Sequence, residues 1–104
     1  MSCTTVVSTE RILEQKEIAF GKCLEANGMC GKWRHFGEYD SLSCYVIYSK
    51  KLRWFGQRRR VAFMANCRKA FRPETVEVKL LIPEYEVKLR EALNQFGWPS
   101  TLII

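Results

Sequence analysis

The stretch Val76-Glu77-Val78-Lys79-Leu80-Leu81-Ile82, followed at once by Pro83, constrains the fold more than any other part of the chain. Val76, Val78, Leu80 and Ile82 alternate with Glu77, Lys79 and Leu81. A period of two fits a strand with one buried face, so a strand is expected over Thr75–Ile82. Proline has no N–H to give a ladder and suits the first turn of a helix. Beyond it Tyr85, Leu89, Ala92, Leu93 and Phe96 recur at helical spacing, which predicts a helix over Glu84–Phe96. Glu84 and Glu86 favour its N-terminus through the helix dipole, and Gly97 stops it.

The rest of the chain is read around this strand–helix unit. Ser8 or Thr9 can cap a first helix running to about Asn27, with Gly28 as its stop. Ile12, Ala19, Phe20, Cys23 and Leu24 give that helix an apolar face. Gly21 inside it suggests a close packing contact, since glycine costs a helix roughly 1 kcal/mol relative to alanine. Met29–Ser43 is mixed in character, with Trp33 and Phe36 as candidate anchors. Ser43–Tyr48 is β-branched and aromatic enough to be a strand. Lys50–Phe55 is expected to return as a second strand through a turn near Ser49–Lys50, before Gly56-Gln57 breaks the chain. Arg58–Phe71 fits both periods. Ala62, Met64, Ala65 and Ala70 are tolerable helix formers, so the reading leans to helix. Pro73 ends it either way.

These elements predict an α+β fold: a small antiparallel or mixed sheet of three to four strands, with an N-terminal and a C-terminal helix packed on it. The 104 residues are expected to form one compact domain, with residues 1–7 disordered. No basic leader followed by a long apolar run is visible at the N-terminus, and no apolar run is long enough to span a membrane. A cytoplasmic protein with no membrane partner is expected. The five cysteines, Cys3, Cys23, Cys30, Cys44 and Cys67, are odd in number and form no C-x-x-C pair. Reduced thiols fit better than a disulfide scaffold, and with a single histidine no metal or other cofactor is expected.

Charge is the most informative feature for function. From Ser41 through Pro73 there is no Asp or Glu, while Lys50, Lys51, Arg53, Arg58, Arg59, Arg60, Arg68, Lys69 and Arg72 all fall there. The remainder has 8 basic residues against 11 acidic, so the net charge of +6 joins a strongly positive middle to a slightly acidic rest. Such a segregated field attracts polyanions. Trp54 and Phe55 lie between the two basic clusters, where an aromatic ring can stack on a base. The candidate nucleic-acid-binding set is Lys50, Lys51, Arg53, Trp54, Arg58, Arg59, Arg60, Arg68 and Lys69. The expected function is a small non-enzymatic domain that binds nucleic acid or regulates through residues 41–73. The alternative is an interaction or inhibitor module that docks an acidic protein, with aromatics as hot spots.

Catalytic signals are weak. His35, Glu38, Asp40 and Cys44 lie near one another, but their spacing specifies no mechanism. Tyr45-Val46-Ile47-Tyr48 with Trp54-Phe55-Gly56 loosely resembles the paired-strand signature of GIY-YIG nucleases. The first motif lacks its glycine, and Trp-Phe stands where Tyr-Ile is usual. The resemblance implies a catalytic arginine on a following helix, drawn from Arg59, Arg60 or Arg68, and a metal-binding Glu91. It covers about a dozen residues, so a metal-dependent nuclease ranks last. Finally, Trp98, Leu102, Ile103 and Ile104 make an apolar tail that either joins the sheet and core or forms a homodimer contact.

Overall fold

The computed structural model describes residues 9–35, 43–65, 76–97 and 100–103. In chain order these form α1 (Thr9–Ala26), β1 (Met29–His35), β2 (Ser43–Trp54), β3 (Gln57–Ala65), β4 (Val76–Leu80), a 3-10 turn (Pro83–Tyr85), α2 (Glu86–Phe96) and β5 (Ser100–Ile103). The strands make one sheet in the order β1-β2-β3-β4-β5. The first four are antiparallel, and β5 adds a fifth strand parallel to β4. This is the expected α+β arrangement with a helix near each end of the chain.

Three local expectations are corrected. Met29–His35 is a strand. Its inward residues are Met29, Gly31 and Trp33, and Gly31 hides the alternation because it carries no side chain. A Cβ on Gly31 would overlap the Tyr45 ring, which lies across that position and fills the space. Next, the chain does not reverse at Ser49–Lys50. β2 runs on to Trp54, and the reversal is at Phe55-Gly56, between the register partners Trp54 and Gln57. Third, Arg58–Ala65 is strand rather than helix, because β3 pairs on both sides, with β2 and with β4. Tertiary pairing overrides the helix propensity of its alanines and methionine. Residues 66–75 lie outside the described residues, as do Phe36, Glu38 and Asp40.

Both helices cover one face of the sheet. Phe20 and Leu24 from α1, and Leu89, Ala92 and Leu93 from α2, close over Met29, Tyr45, Ile47, Ala62, Met64, Val78 and Leu80. Each large side chain buried this way contributes roughly 1.5–3 kcal/mol. Aromatic contacts link the layers: Trp33 to Tyr45 at 5.3 Å, Tyr45 to Phe20 at 5.8 Å, and Phe20 to Phe96 at 5.2 Å between ring centroids. Trp33 is thus an anchor, as its sequence position suggested. The apolar stripe of α1 is narrower than expected, since Ile12 and Ala19 are exposed. A Cβ on Gly21 would meet no described atom, so the expected close contact is not found among the described residues. At the end of α1, the Asn27 amide donates to the Cys23 carbonyl at 2.8 Å and to Gln95 Oε1 at 3.1 Å, tying the two helix ends together.

Candidate functional site

The face of the sheet away from the helices carries a different set of residues. Alternation along β1 puts Cys30, Lys32 and Arg34 there, opposite Tyr48, Val46 and Cys44 of β2. On β3 the same face receives Arg60, the register partner of Tyr48, and Phe63, the partner of Val46. Cys30, Lys32, Arg34, Tyr48, Gln57, Arg58 and Arg60 line a cleft of about 520 Å³. Four of these seven are cations and none is acidic.

Two irregularities shape this cleft. Val61 is an extra residue on β3, lying between the pairs Ile47–Ala62 and Tyr48–Arg60. Its carbonyl accepts from the Leu81 N–H at 2.7 Å and the Ile82 N–H at 3.2 Å, which fixes the end of β4. On β2, the five steps from Tyr48 to Arg53 run beside only two on β3, from Arg60 to Arg58. Such bulges bend and twist a strand. Ser49 holds this one. It is a fully buried polar side chain, and its Oγ accepts from the Lys51 N–H at 3.1 Å and the Leu52 N–H at 2.9 Å. With both lone pairs engaged, its own proton goes to the Tyr85 hydroxyl, 2.6 Å away at the start of α2.

Beyond these bulges no other described strand pairs with the hairpin. β1 stops pairing at Ser49, and the Lys50 N–H closes on the Gly28 carbonyl at 3.0 Å. β4 pairs β3 no further than Ala62. Residues 50–60 therefore form a two-stranded arm. Its described side chains are all exposed: Lys50, Lys51, Leu52, Arg53, Phe55, Gln57, Arg58, Arg59 and Arg60. Phe55 (φ 48°) and Gly56 (φ 77°) both have positive φ at the tip. This is the signature of a type I′ two-residue turn, whose twist suits a hairpin.

Specific contacts order the cleft. The Arg34 Nε–H donates to the Tyr48 hydroxyl at 3.0 Å, and its guanidinium carbon lies 5.7 Å from the centre of that ring. Arg58 reaches from the arm to Cys30 Sγ at 3.1 Å. The arm and β1 thus form the two walls, with buried Tyr48 as the floor. Arginine guanidinium groups present forked donors that match phosphate oxygens, and Lys32 adds a point charge.

Of the residues named from sequence, Arg58 and Arg60 meet in the cleft. Arg53 stands opposite Arg58 in register and so shares its side of the arm. Arg59, between Arg58 and Arg60, projects on the other side. Lys50 and Lys51 sit at the bulge. Arg68 and Lys69 lie outside the described residues, as does the Trp54 side chain. Lys32 and Arg34 were missed because their strand was missed. The nuclease arrangement is not supported, since Arg59 and Arg60 are on a strand rather than a helix, and Glu91 is exposed on α2. Among the described residues no cluster of His, Cys, Asp or Glu could hold a metal ion. Cys23 and Cys30 are free thiols. The backbone of β5 pairs with β4, the sheet-joining arrangement weighed for the tail. Trp98, Ile104 and the side chains of Leu102 and Ile103 lie outside the described residues. No described helix is long and apolar enough to cross a membrane. No protein-family model, curated protein sequence or solved structure matches the chain.

Proposed function

We propose that the protein binds nucleic acid through the cationic cleft on the sheet face away from the helices, together with the hairpin arm. One observation carries this reading. Lys32 and Arg34 on β1 converge with Arg58 and Arg60 on the arm around a single cleft, and none of the described residues lining it is acidic. Four cations in one cleft repel one another, so the arrangement favours a polyanion that neutralises them. The ligand's phosphates would lie between β1 and the arm, with Lys50, Lys51 and Arg53 extending the contact along the backbone. Residues 50–60 are the centre of the basic segment, and β1 supplies the second wall.

The test is a fluorescence-anisotropy titration with labelled oligonucleotides. The triple variant Lys32→Ala, Arg58→Ala, Arg60→Ala is compared with Lys16→Ala, Lys22→Ala, Lys88→Ala, which removes the same positive charge from the helices instead. The cleft variant should lose at least tenfold in affinity, while the helix variant stays near wild type. Equal losses would reduce the effect to net charge and remove the cleft from the account. Acidic polypeptide competing more strongly than DNA would favour the acidic-protein alternative. That reading draws its support from Phe55, 91% exposed at the arm's tip.

A further inference from the structure

The tip of the arm has two features that conflict with folding economy. Phe55 is a bulky residue with φ at 48°, in the left-handed region that asparagine, aspartate and glycine occupy most readily. It also exposes 91% of its surface, so the ring gains little from burial in the fold. Asparagine would suit the turn better and expose less apolar area. A strained, exposed aromatic at the end of a cationic ribbon points to a role in contact with a ligand.

The distribution of charge along the arm indicates the kind of ligand. A single strand lying on a platform needs cations and stacking rings on one surface. Here Tyr48 is buried in the cleft floor, and the arginines divide between two sides of the ribbon. Arg53, Arg58 and Arg60 fall on one side and Arg59 on the other. A ribbon inside a duplex groove has phosphates on both walls and needs cations on both sides. The major groove of B-DNA admits a two-stranded ribbon, whereas that of A-form RNA is too narrow.

We infer that residues 50–60 enter a groove of duplex DNA and that Phe55 inserts at a base step as an apolar wedge. This rests on the nucleic-acid reading above and adds its substrate class and mode. The arginines hold the phosphates on either side of the ribbon, and the ring partly unstacks one step. Apolar wedges partly unstack a base step and kink the duplex, and opening a gap between stacked pairs unwinds the helix locally. Gly56, at φ 77°, completes the tight turn behind the ring.

The experiment uses the full chain and three variants: Phe55→Asn, Phe55→Gly and Phe55→Trp. Duplex affinity is measured by anisotropy. DNA unwinding is measured as the change in linking number when closed circular DNA is relaxed by a topoisomerase with protein bound. Wild type and Phe55→Trp should shift the linking number. Phe55→Asn and Phe55→Gly should bind duplex about tenfold more weakly and shift it little at saturation. Phe55→Asn should also melt at the same temperature or a few degrees higher, because it relieves the turn. A wild-type protein that binds duplex without unwinding it, or a Phe55→Asn variant that unwinds it equally, overturns the wedge and leaves the nucleic-acid reading standing. A lower melting temperature in both Phe55→Asn and Phe55→Gly would assign the ring to the fold and also overturn it. Tighter binding to single strands than to duplex overturns the groove. A wild-type protein that binds no oligonucleotide overturns both readings.

Discussion

On the helix-covered face of the sheet, Trp33, Tyr45, Ile47, Met64 and Val78 pack against Phe20, Leu24 and Leu89. On the other face, the same strands present Cys30, Lys32, Arg34, Tyr48 and Arg60 around an open cleft. The backbone is shared, so the difference comes from side chains alone. One face exchanges water for carbon contacts and stabilises the fold. The other concentrates like charges around the cleft, and on the function proposed above a bound polyanion would relieve their repulsion. Stability and binding should therefore separate by face, and substitutions can test how cleanly.

The largest effect is expected at Gly31. Valine there would push the Tyr45 ring out of its position across β1 and disturb its contacts with Trp33 and Phe20. The cost should be about 3 kcal/mol or more in urea unfolding. Lys32→Ala, one residue away and exposed on the other face, should change stability by no more than about 0.5 kcal/mol. Similar losses at both positions would break the comparison.

Ser49 joins the two regions. Its hydroxyl holds the bulge at the root of the arm and meets Tyr85 below α2. Ser49→Ala leaves the Lys51 and Leu52 amides and the Tyr85 hydroxyl without this partner, and should cost about 1–3 kcal/mol. Hydrogen exchange should quicken at Lys51 and Leu52 while protection at Ile47 and Val78 persists. Unchanged exchange at the bulge would contradict the role assigned to Ser49.

The covered face should also carry a signature at alkaline pH. Burial, with smaller contributions from Glu17 and Cys30, pushes the Tyr45 phenol well above its ordinary value of 10.0. The folded state holds that proton where the unfolded state releases it. The associated stability is complete below about pH 10 and is lost as pH rises toward the folded value. Melting temperature should fall above pH 10 in the wild type and less steeply in Tyr45→Phe. An identical fall in both would place the alkaline sensitivity elsewhere. The smallest effect is expected on the outer side of α2, where Arg90 and Glu86 pair at 3.1 Å with both side chains solvent-accessible. Arg90→Ala should cost at most about 0.5 kcal/mol, a difference that salt erases.

These regions were unequally legible in the sequence. β4 and α2 could be read because Val76, Val78, Leu80 and Ile82 keep a strict period, and Pro83 and Gly97 mark the limits of the helical segment. Gly97 adopts the left-handed conformation expected of a helix stop, at φ 75°. β3 was harder because Val61, Ala62 and Met64 are all buried around the extra residue, so the pattern loses its period of two. β1 was hidden at Gly31, whose inward space is filled by a tyrosine from the next strand. The candidate site followed the same limits. The acid-free segment pointed to Arg58 and Arg60, while Lys32 and Arg34 emerge only once β1 is paired with β2. The Ser49 bulge leaves no sequence signature beyond a serine in a strand.

The most direct test of the central claim is the salt dependence of duplex binding, measured for wild type and for Arg58→Ala, Arg60→Ala over a fourfold range of salt. For phosphate contacts in the cleft and along the arm, the logarithm of affinity should fall steeply and linearly with the logarithm of salt concentration. Loss of two contacts should flatten the slope by about 2. A shallow slope, or the same slope in both proteins, would contradict the claim that this face of the sheet and its arm are built to hold a phosphate backbone.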